Sequence, residues 1–142
     1  MPTSIEASRK ERLATLCEAH GLQLLYAFGC RATEALELHE GSCESLSRSG
    51  ADLDIGIKPS GTLGIREKAS IAVELEDFFG ASRVDLVLLP EADPFLAANI
   101  IRGERLYTQD EHAGAEYELY ILRRAGDLAP LERERLALLE NR

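Results

Sequence analysis

The chain has 142 residues, 45% of them hydrophobic, with 16 basic and 25 acidic side chains and a net charge of −9. This length and apolar content predict one domain over residues 1–142 with a buried core, and they exclude a disordered chain. The acidity argues against direct binding of nucleic acid, which requires a basic face, and it suits a basic protein partner.

No stretch reaches the roughly 20 apolar residues of a membrane span, and the N-terminus lacks the apolar core of a signal peptide. We therefore expect a cytoplasmic protein that does not insert into a membrane. The three cysteines show no CxxC spacing, which predicts neither a disulfide framework nor a zinc site. The three histidines are scattered without ligand spacing, and we expect them at the surface: His20, His39 and His112.

The first third of the chain predicts a helix, a strand and a second helix. Residues 4–20 place apolar side chains near one helical stripe, which ends at Gly21. Residues 22–28, LQLLYAF, form a continuous apolar run that is typical of a strand buried on both faces. Strong helix formers fill residues 31–40, and the serine- and glycine-rich residues 41–51 predict a loop.

Two more strands follow, separated by a helix. Residues 52–59, DLDIGIKP, and residues 82–90 are strand-like runs that each end at a proline. The helical stripe of residues 65–80 lies between them and is closed by glycine. An Asp-Pro pair begins a helix at residue 93 that ends near Gly103, after which ERLY adds a short strand. Strands alternating with helices predict a small α/β or α+β layer structure.

The last part of the chain, from about 110 to 140, is predicted to be helical, with a break around Gly126 and Pro130. One apolar seam on this C-terminal segment could dock a partner protein or a second copy of the chain, as a homo-oligomer. The seam residues are Leu131, Leu138 and Leu139.

Three aspartates lie in the strand-like runs. Asp52 and Asp54 are two residues apart and therefore project from the same face of a strand, and Asp85 interrupts the next apolar run. If the two strands are neighbours, the three carboxylates converge and repel one another. A divalent cation such as Mg²⁺ would remove that repulsion, and two such ions would align the oxygens of a phosphoryl or nucleotidyl transfer. The alternative is a capped loop or a solvent-facing strand edge.

A glycine turn precedes these aspartates. Gly29, Cys30 and Arg31 join the apolar strand to the next helix. Glycine allows a phosphate to approach the backbone, the helix N-terminus attracts anions, and an arginine donates charge-assisted hydrogen bonds to phosphate oxygens. The alternative is a simple turn from strand to helix.

Together these segments resemble the minimal nucleotidyltransferases of the DNA polymerase β superfamily. FGCRA at 28–32 is similar to the family's FGSRA, and DLDIGI at 52–57 to its D-x-D strand. RVDLVLL at 83–89 is similar to the strand of the third carboxylate. NIIRGERLY at 99–107 is similar to the stretch that follows that strand. The resemblance runs over roughly residues 10–107.

The resemblance implies a nucleotidyltransferase fold with a mixed sheet of three or more strands flanked by helices, followed by the C-terminal helices. It implies two Mg²⁺ ions held by Asp52, Asp54 and Asp85. Of these three carboxylates, Asp85 is the implied base for an incoming hydroxyl group.

The resemblance also implies ATP as the nucleoside triphosphate, with its phosphates lying against Gly29, Cys30 and Arg31. Many members of the family are antitoxins paired with a HEPN ribonuclease toxin. Some transfer AMP from ATP to a tyrosine of that toxin. The implied function is therefore Mg²⁺-dependent transfer of a nucleotide to a hydroxyl acceptor, with such a tyrosine as the candidate.

The chain departs from the family pattern at two points. Cys30 replaces the family's serine, and because a thiol is a weak donor we expect weaker nucleotide binding. In addition, 21 residues separate Cys30 from Asp52, about twice the usual gap. Gly41 and Ser42 lie nearer the usual spacing, but no apolar strand precedes them. We therefore assign the motif to Gly29 and Cys30.

These departures keep an alternative function open, in which an inactive or weakly active nucleotidyltransferase fold serves as a nucleotide- or partner-binding module. Transfer to a small molecule such as an aminoglycoside is a third hypothesis. It is disfavoured because the chain is too short for a separate substrate domain.

Overall fold

The structure is a computed structural model that describes residues 4–42, 46 and 52–140. Five α-helices alternate with four β-strands. The helices are α1 (Ser4–Ala19), α2 (Ala32–His39), α3 (Ile65–Phe79), α4 (Pro94–Ile101) and α5 (Glu111–Glu140). The strands are β1 (Leu22–Phe28), β2 (Leu53–Pro59), β3 (Val84–Leu88) and β4 (Glu104–Thr108). The predicted loop at 41–51 lies outside the described residues, apart from positions 41, 42 and 46.

The four strands form one mixed sheet in the order β3-β2-β1-β4. Strand β1 pairs antiparallel with β2 and with β4, whereas β2 and β3 are parallel. The predicted mixed α/β architecture is therefore confirmed. Helix α3 connects the two parallel strands and returns the chain to the end of the sheet at which β2 begins.

Helices cover both faces of the sheet. The core under α1, α2 and α3 takes alternate strand residues such as Leu25, Ile55 and Ile57, all fully buried. The second core, under α4 and α5, takes the intervening residues of β1, including Leu24 and Tyr26. Burial of β1 on both faces explains its unbroken apolar sequence.

A polar network fixes the first half of α5 against the sheet. The hydroxyl of Tyr26 on β1 donates to Oε1 of Glu118 at 2.5 Å, and Nη1 of Arg105 donates to the same oxygen at 3.1 Å. Nη2 of Arg105 donates to Oε2 of Glu111 at 2.7 Å. The network joins β1, β4 and α5, and it satisfies the hydroxyl of a fully buried tyrosine.

The predicted break in the C-terminal segment is wrong, because α5 is one helix of 30 residues that continues through Gly126 and Pro130. A proline in a helix removes one backbone hydrogen bond, here the bond to the carbonyl of Gly126. Both residues are exposed, so water can satisfy that carbonyl. The predicted seam of Leu131, Leu138 and Leu139 is exposed on this helix, and its role in docking stays a prediction.

The prediction that all three histidines lie at the surface is also wrong. His39 is buried at the end of α2, where burial lowers its pKa to about 4 with a smaller contribution from the charge of Lys10. His20 is partly buried and pairs with Glu74 of α3. His112 alone is exposed. The short helix α2 has its apolar face on the sheet, and His39 falls on that face.

Candidate active site

The structure places Asp54 and Asp85 side by side. Leu53 and Ile55 point into the core under α1–α3, so Asp54 points to the opposite face of β2. On the parallel strand β3, Asp85 is the residue in register with Asp54. On the other side, β1 ends with Phe28 in register with the same aspartate. The two carboxylates therefore occupy the sheet edge where β1 ends and β2 and β3 begin.

The glycine turn packs directly on Asp54. Gly29 follows β1 with a φ of +76°, a conformation that favours glycine, and opens a short 3₁₀ turn over Gly29–Arg31. A Cβ atom at this position would lie 2.6 Å from Oδ2 of Asp54. Glycine is thus required here to leave room for the carboxylate as well as for the backbone turn.

Asp54 carries an electrostatic cost. Burial raises the pKa of Asp54 above the ordinary aspartate value, and the negative charges of Asp85 and then Asp52 raise it further. All three aspartates therefore influence one site. The ionised form of Asp54 is disfavoured where it stands, as expected for a carboxylate that lacks sufficient compensating positive charge.

Asp52 lies at the margin of this pair. Its Oδ2 atom is 3.6 Å from Nε of Arg83, and both side chains are substantially exposed, at 43% and 74%. Such an exposed pair contributes little to stability. Within the described ranges, no three His, Cys, Asp or Glu side chains are arranged to hold a metal ion. The three aspartates are thus electrostatically coupled but are not gathered into a closed ligand set.

The remaining predicted site residues, Cys30 and Arg31, point in different directions. Cys30 is exposed, so its thiol is accessible at the turn. Arg31 is 5% exposed and donates to Oε2 of Glu34 from Nε at 3.3 Å and from Nη2 at 3.1 Å. In this arrangement the guanidinium is directed to α2, and the predicted contact with phosphate stays a prediction.

Sequence reasoning missed Arg83. Strands β2 and β3 are parallel, with Leu53 opposite Val84. Asp52 and Arg83 each precede one of these paired residues, so they lie beside each other. The signal was available in the sequence, since Arg83 stands two residues before the aspartate of its strand. Its proximity to Asp52 depends on the pairing of the two strands, which the sequence does not display.

No helix in the described part of the chain combines the length and the apolar character that crossing a membrane requires.

A family model described as polymerase beta, nucleotidyltransferase matches residues 11–112. The chain belongs to the polymerase β nucleotidyltransferase family. The matched range contains the glycine turn and all three aspartates of this nucleotidyltransferase, and it ends at the start of α5. The resemblance inferred from the sequence is confirmed.

Solved structures share this nucleotidyltransferase fold. A mutant MntA–HpeT toxin–antitoxin structure is 21% identical with a TM-score of 0.64, over 93% of this chain and 96% of that chain. A toxin–antitoxin structure with AMP-PNP is 22% identical with a TM-score of 0.63, over the same shares. A structure of the tri-AMPylated HEPN toxin of Shewanella oneidensis in complex with MNT antitoxin contains a chain that is 21% identical with a TM-score of 0.61, over 96% of this chain and 97% of that chain. No curated protein matches the chain.

Replacing Gly29 with alanine should displace the Asp54 carboxylate. We expect a loss of about 1–2 kcal/mol in the free energy of unfolding, from the positive φ alone. The atom that a new Cβ would meet is the end of a side chain, so we expect Asp54 to rotate away while the backbone stays. NMR of the Asp54 carboxyl carbon and urea unfolding would measure both effects.

The matched control is Gly80→Ala, because Gly80 has a φ of +67° and open space around it. It should lose similar stability and leave the Asp54 resonance unchanged. Equal resonance shifts in the two variants would show that Gly29 does not position the carboxylate.

Replacing Asp85 with asparagine should lower the pKa of Asp54, because it removes a neighbouring negative charge. A raised pKa in the folded state means that ionised Asp54 destabilises the fold. That cost is absent below the unfolded pKa, grows as pH rises from the unfolded pKa to the folded pKa, and is constant above the folded pKa. Asp85→Asn should therefore be more stable than the wild type at neutral pH, and the gain should vanish in acid.

Carboxyl NMR titration and urea unfolding over a range of pH would test this prediction. Asp77→Asn, which removes an exposed carboxylate on α3, is the control and should leave the pKa of Asp54 unchanged. An Asp54 titration that is identical in the wild type and in Asp85→Asn would contradict the expected coupling.

Proposed function

We propose that the protein transfers a nucleotide, AMP, from Mg²⁺-bound ATP to a hydroxyl acceptor in the cytoplasm. The observation that carries this proposal is the registered pair of Asp54 and Asp85 on parallel strands, with Gly29 packed against the carboxylate of Asp54. Membership of the nucleotidyltransferase family supports the reaction class.

The donor set suits Mg²⁺, since the cation prefers carboxylate oxygens, and the pKa of Asp54 is raised by burial and then by the negative charges of Asp85 and Asp52. Asp52, Asp54 and Asp85 are the residues that would hold it, in two ions as the resemblance implies. Bound there, Mg²⁺ would supply charge neutralisation for the carboxylates and the triphosphate. Asp52 is 3.6 Å from Arg83, so full use of its carboxylate requires this exposed pair to separate.

The chain's own residues supply the other parts of the reaction. Gly29 lets the triphosphate approach the backbone, and the N–H groups that begin α2 donate to phosphate oxygens. Cys30 contributes a weak donor. Asp85 accepts the proton of the acceptor hydroxyl. The hydroxyl oxygen forms a bond to the α-phosphorus while the bond from that phosphorus to pyrophosphate breaks.

The acceptor that we propose is a tyrosine of a HEPN-type toxin, which would make this chain an antitoxin. Two structural neighbours support the choice: one is a toxin–antitoxin structure with AMP-PNP, and another contains an AMPylated HEPN toxin with its MNT antitoxin. The net charge of −9 suits a basic protein partner.

Three observations favour the alternative of an inactive partner-binding module. Asp52 is close to Arg83, the guanidinium of Arg31 is directed to Glu34, and Cys30 stands in place of the family's serine. Each would weaken the binding of metal or nucleotide. In this alternative the fold would mask a toxin without transferring a nucleotide.

Calorimetry of ATP binding, with Mg²⁺ and with EDTA, separates the two functions. We expect the wild type to have an ATP site that requires Mg²⁺ and whose binding weakens at least 10-fold in Asp52→Asn/Asp54→Asn, a loss of about 1.4 kcal/mol or more. Asp77→Asn should bind as the wild type does. Transfer is then scored with ATP labelled at its α-phosphate and a HEPN partner. A wild type that neither binds Mg²⁺-ATP nor labels the partner would support the module.

Replacing Cys30 with serine should strengthen ATP binding. A hydroxyl donates to a phosphate oxygen better than a thiol, and one such hydrogen bond is worth about 0.5–1.5 kcal/mol. We therefore expect roughly 2- to 10-fold tighter binding of Mg²⁺-ATP in the same calorimetric assay. Cys30→Ala provides the control, because it removes the thiol without adding a donor. If serine and alanine have the same effect, the side chain at this position makes no hydrogen bond to the nucleotide.

A further inference from the structure

A cavity lies on the face of the sheet that carries Asp54, at the other end of β2. We propose that this cavity, the Lys58 pocket, binds a planar aromatic ring that carries a phosphate group, such as a nucleoside monophosphate, without a metal ion. The pocket has a volume of about 320 Å³ between β2, the end of β3, α4 and α5. The residues lining the pocket include Lys58, Leu89, Pro90, Tyr117, Tyr120 and Arg124.

The charge of the Lys58 pocket is opposite to that of the chain as a whole. Its lining includes two cations, Lys58 and Arg124, and no carboxylate, although the chain has 25 acidic residues. Neither cation forms an ion pair with a carboxylate in the part of the chain that the structure describes. Two cations that converge on one cavity without internal counter-ions favour an anionic ligand.

Lys58 is held in place by two uncharged groups, the amide of Gln23 and the ring of Tyr117. It is partly buried, its Nζ donates to the side chain of Gln23, and it lies 5.0 Å from the ring centroid of Tyr117. An amide oxygen and an aromatic face orient a cation without neutralising it. Lys58 lies between the Lys58 pocket and a neighbouring cavity that Gln23, Asp110 and Glu116 also line, and in the described part of the chain it forms no ion pair with those carboxylates.

Aromatic and apolar surfaces complete the Lys58 pocket. The rings of Tyr117 and Tyr120 lie 6.1 Å apart between centroids and are tilted by 37°. Leu89 and Pro90 add apolar surface from the short 3₁₀ turn that follows β3. Flat ring faces beside apolar side chains suit a planar ring, and the volume falls at the lower end of the roughly 300–1,000 Å³ of small-molecule sites.

The pocket is separate from the aspartates. Lys58 lies four residues beyond Asp54 on the same face of β2, a distance of roughly 13 Å along the strand. Between them α4 crosses the sheet, because a Cβ on Gly56 would lie 2.5 Å from Cγ2 of Ile100. A ligand in the Lys58 pocket does not reach the carboxylates, so its binding does not depend on the proposed transfer reaction.

The test uses AMP as the probe, in EDTA, with the full chain carrying Asp52→Asn and Asp54→Asn. These substitutions and the chelator disable the aspartate site, so binding that remains belongs elsewhere. We expect AMP to bind, adenosine and inorganic phosphate each to bind at least 10-fold more weakly, and amide shifts in NMR to map to Tyr117, Tyr120 and Arg124.

Matched variants locate the site. Adding Arg124→Gln should weaken AMP binding at least 5-fold, and Lys58→Gln with Arg124→Gln at least 10-fold. Arg123→Gln removes the neighbouring exposed arginine, which does not line the pocket, and should have no effect. Because Arg124 is exposed, its variant should fold even if a change at Lys58 disturbs the sheet.

The proposal is overturned if AMP does not bind in EDTA or if Arg123→Gln weakens binding as much as Arg124→Gln. Equal binding of AMP and adenosine would also overturn it, since the phosphate would then make no contact. Absence of Mg²⁺-dependent ATP binding in the wild type would count only against the proposed transferase function. Failure of the Lys58 pocket proposal and failure of the transferase proposal can therefore be distinguished.

Discussion

The structure of the candidate active site depends on two like charges held side by side. Asp54 and Asp85 are in register on parallel strands, and that register is fixed from the opposite face of the sheet. There Leu53 and Ile55 are fully buried. Because successive strand residues point to opposite faces, a slip of one residue would bury the aspartates and expose these apolar side chains. Hydrophobic burial on one face thus maintains electrostatic repulsion on the other.

Local structure lowers the cost of this repulsion without removing it. Gly29 leaves space for the carboxylate of Asp54, and Asp85 is exposed, so water screens part of the charge. Arg83 approaches Asp52 from the start of β3, but that pair is exposed and lies at the margin. The pKa of Asp54 is still raised by burial and then by the negative charges of Asp85 and Asp52. Such local conflicts within a well-packed fold are typical of functional positions.

Much of the fold could be predicted from the sequence, because its strands are short apolar runs that differ in composition from the helices and loops around them. LQLLYAF coincides with β1, and the runs around the aspartates coincide with β2 and β3 to within a few residues. The errors arose where tertiary context overrides local preference. α5 continues through Pro130 at an exposed site, where water can reach the carbonyl of Gly126, and His39 is buried because its helix packs on the sheet.

The sites were less predictable than the strands, because they depend on pairings between distant segments. That Asp52 and Asp54 project from one face follows from the alternation of strand side chains. That Asp54 is opposite Asp85, and Arg83 near Asp52, follows only from the order of strands in the sheet. The direction of Arg31 toward Glu34 and the Lys58 pocket depend on packing between elements, which no motif in the sequence records.

Strand β2 connects these observations, since its residues facing α4 and α5 run from negative to positive. Asp52 immediately precedes the strand and Asp54 comes first within it, Gly56 leaves room for Ile100 of α4, and Lys58 follows. A fold that served only to cover a partner would be more stable with apolar or uncharged residues at both ends of this row. These opposite charges, which a packed helix separates, are explained if a bound ligand neutralises each of them. On this view cations complete one end and a phosphate completes the other, and α4 is the wall that keeps the two ligands apart.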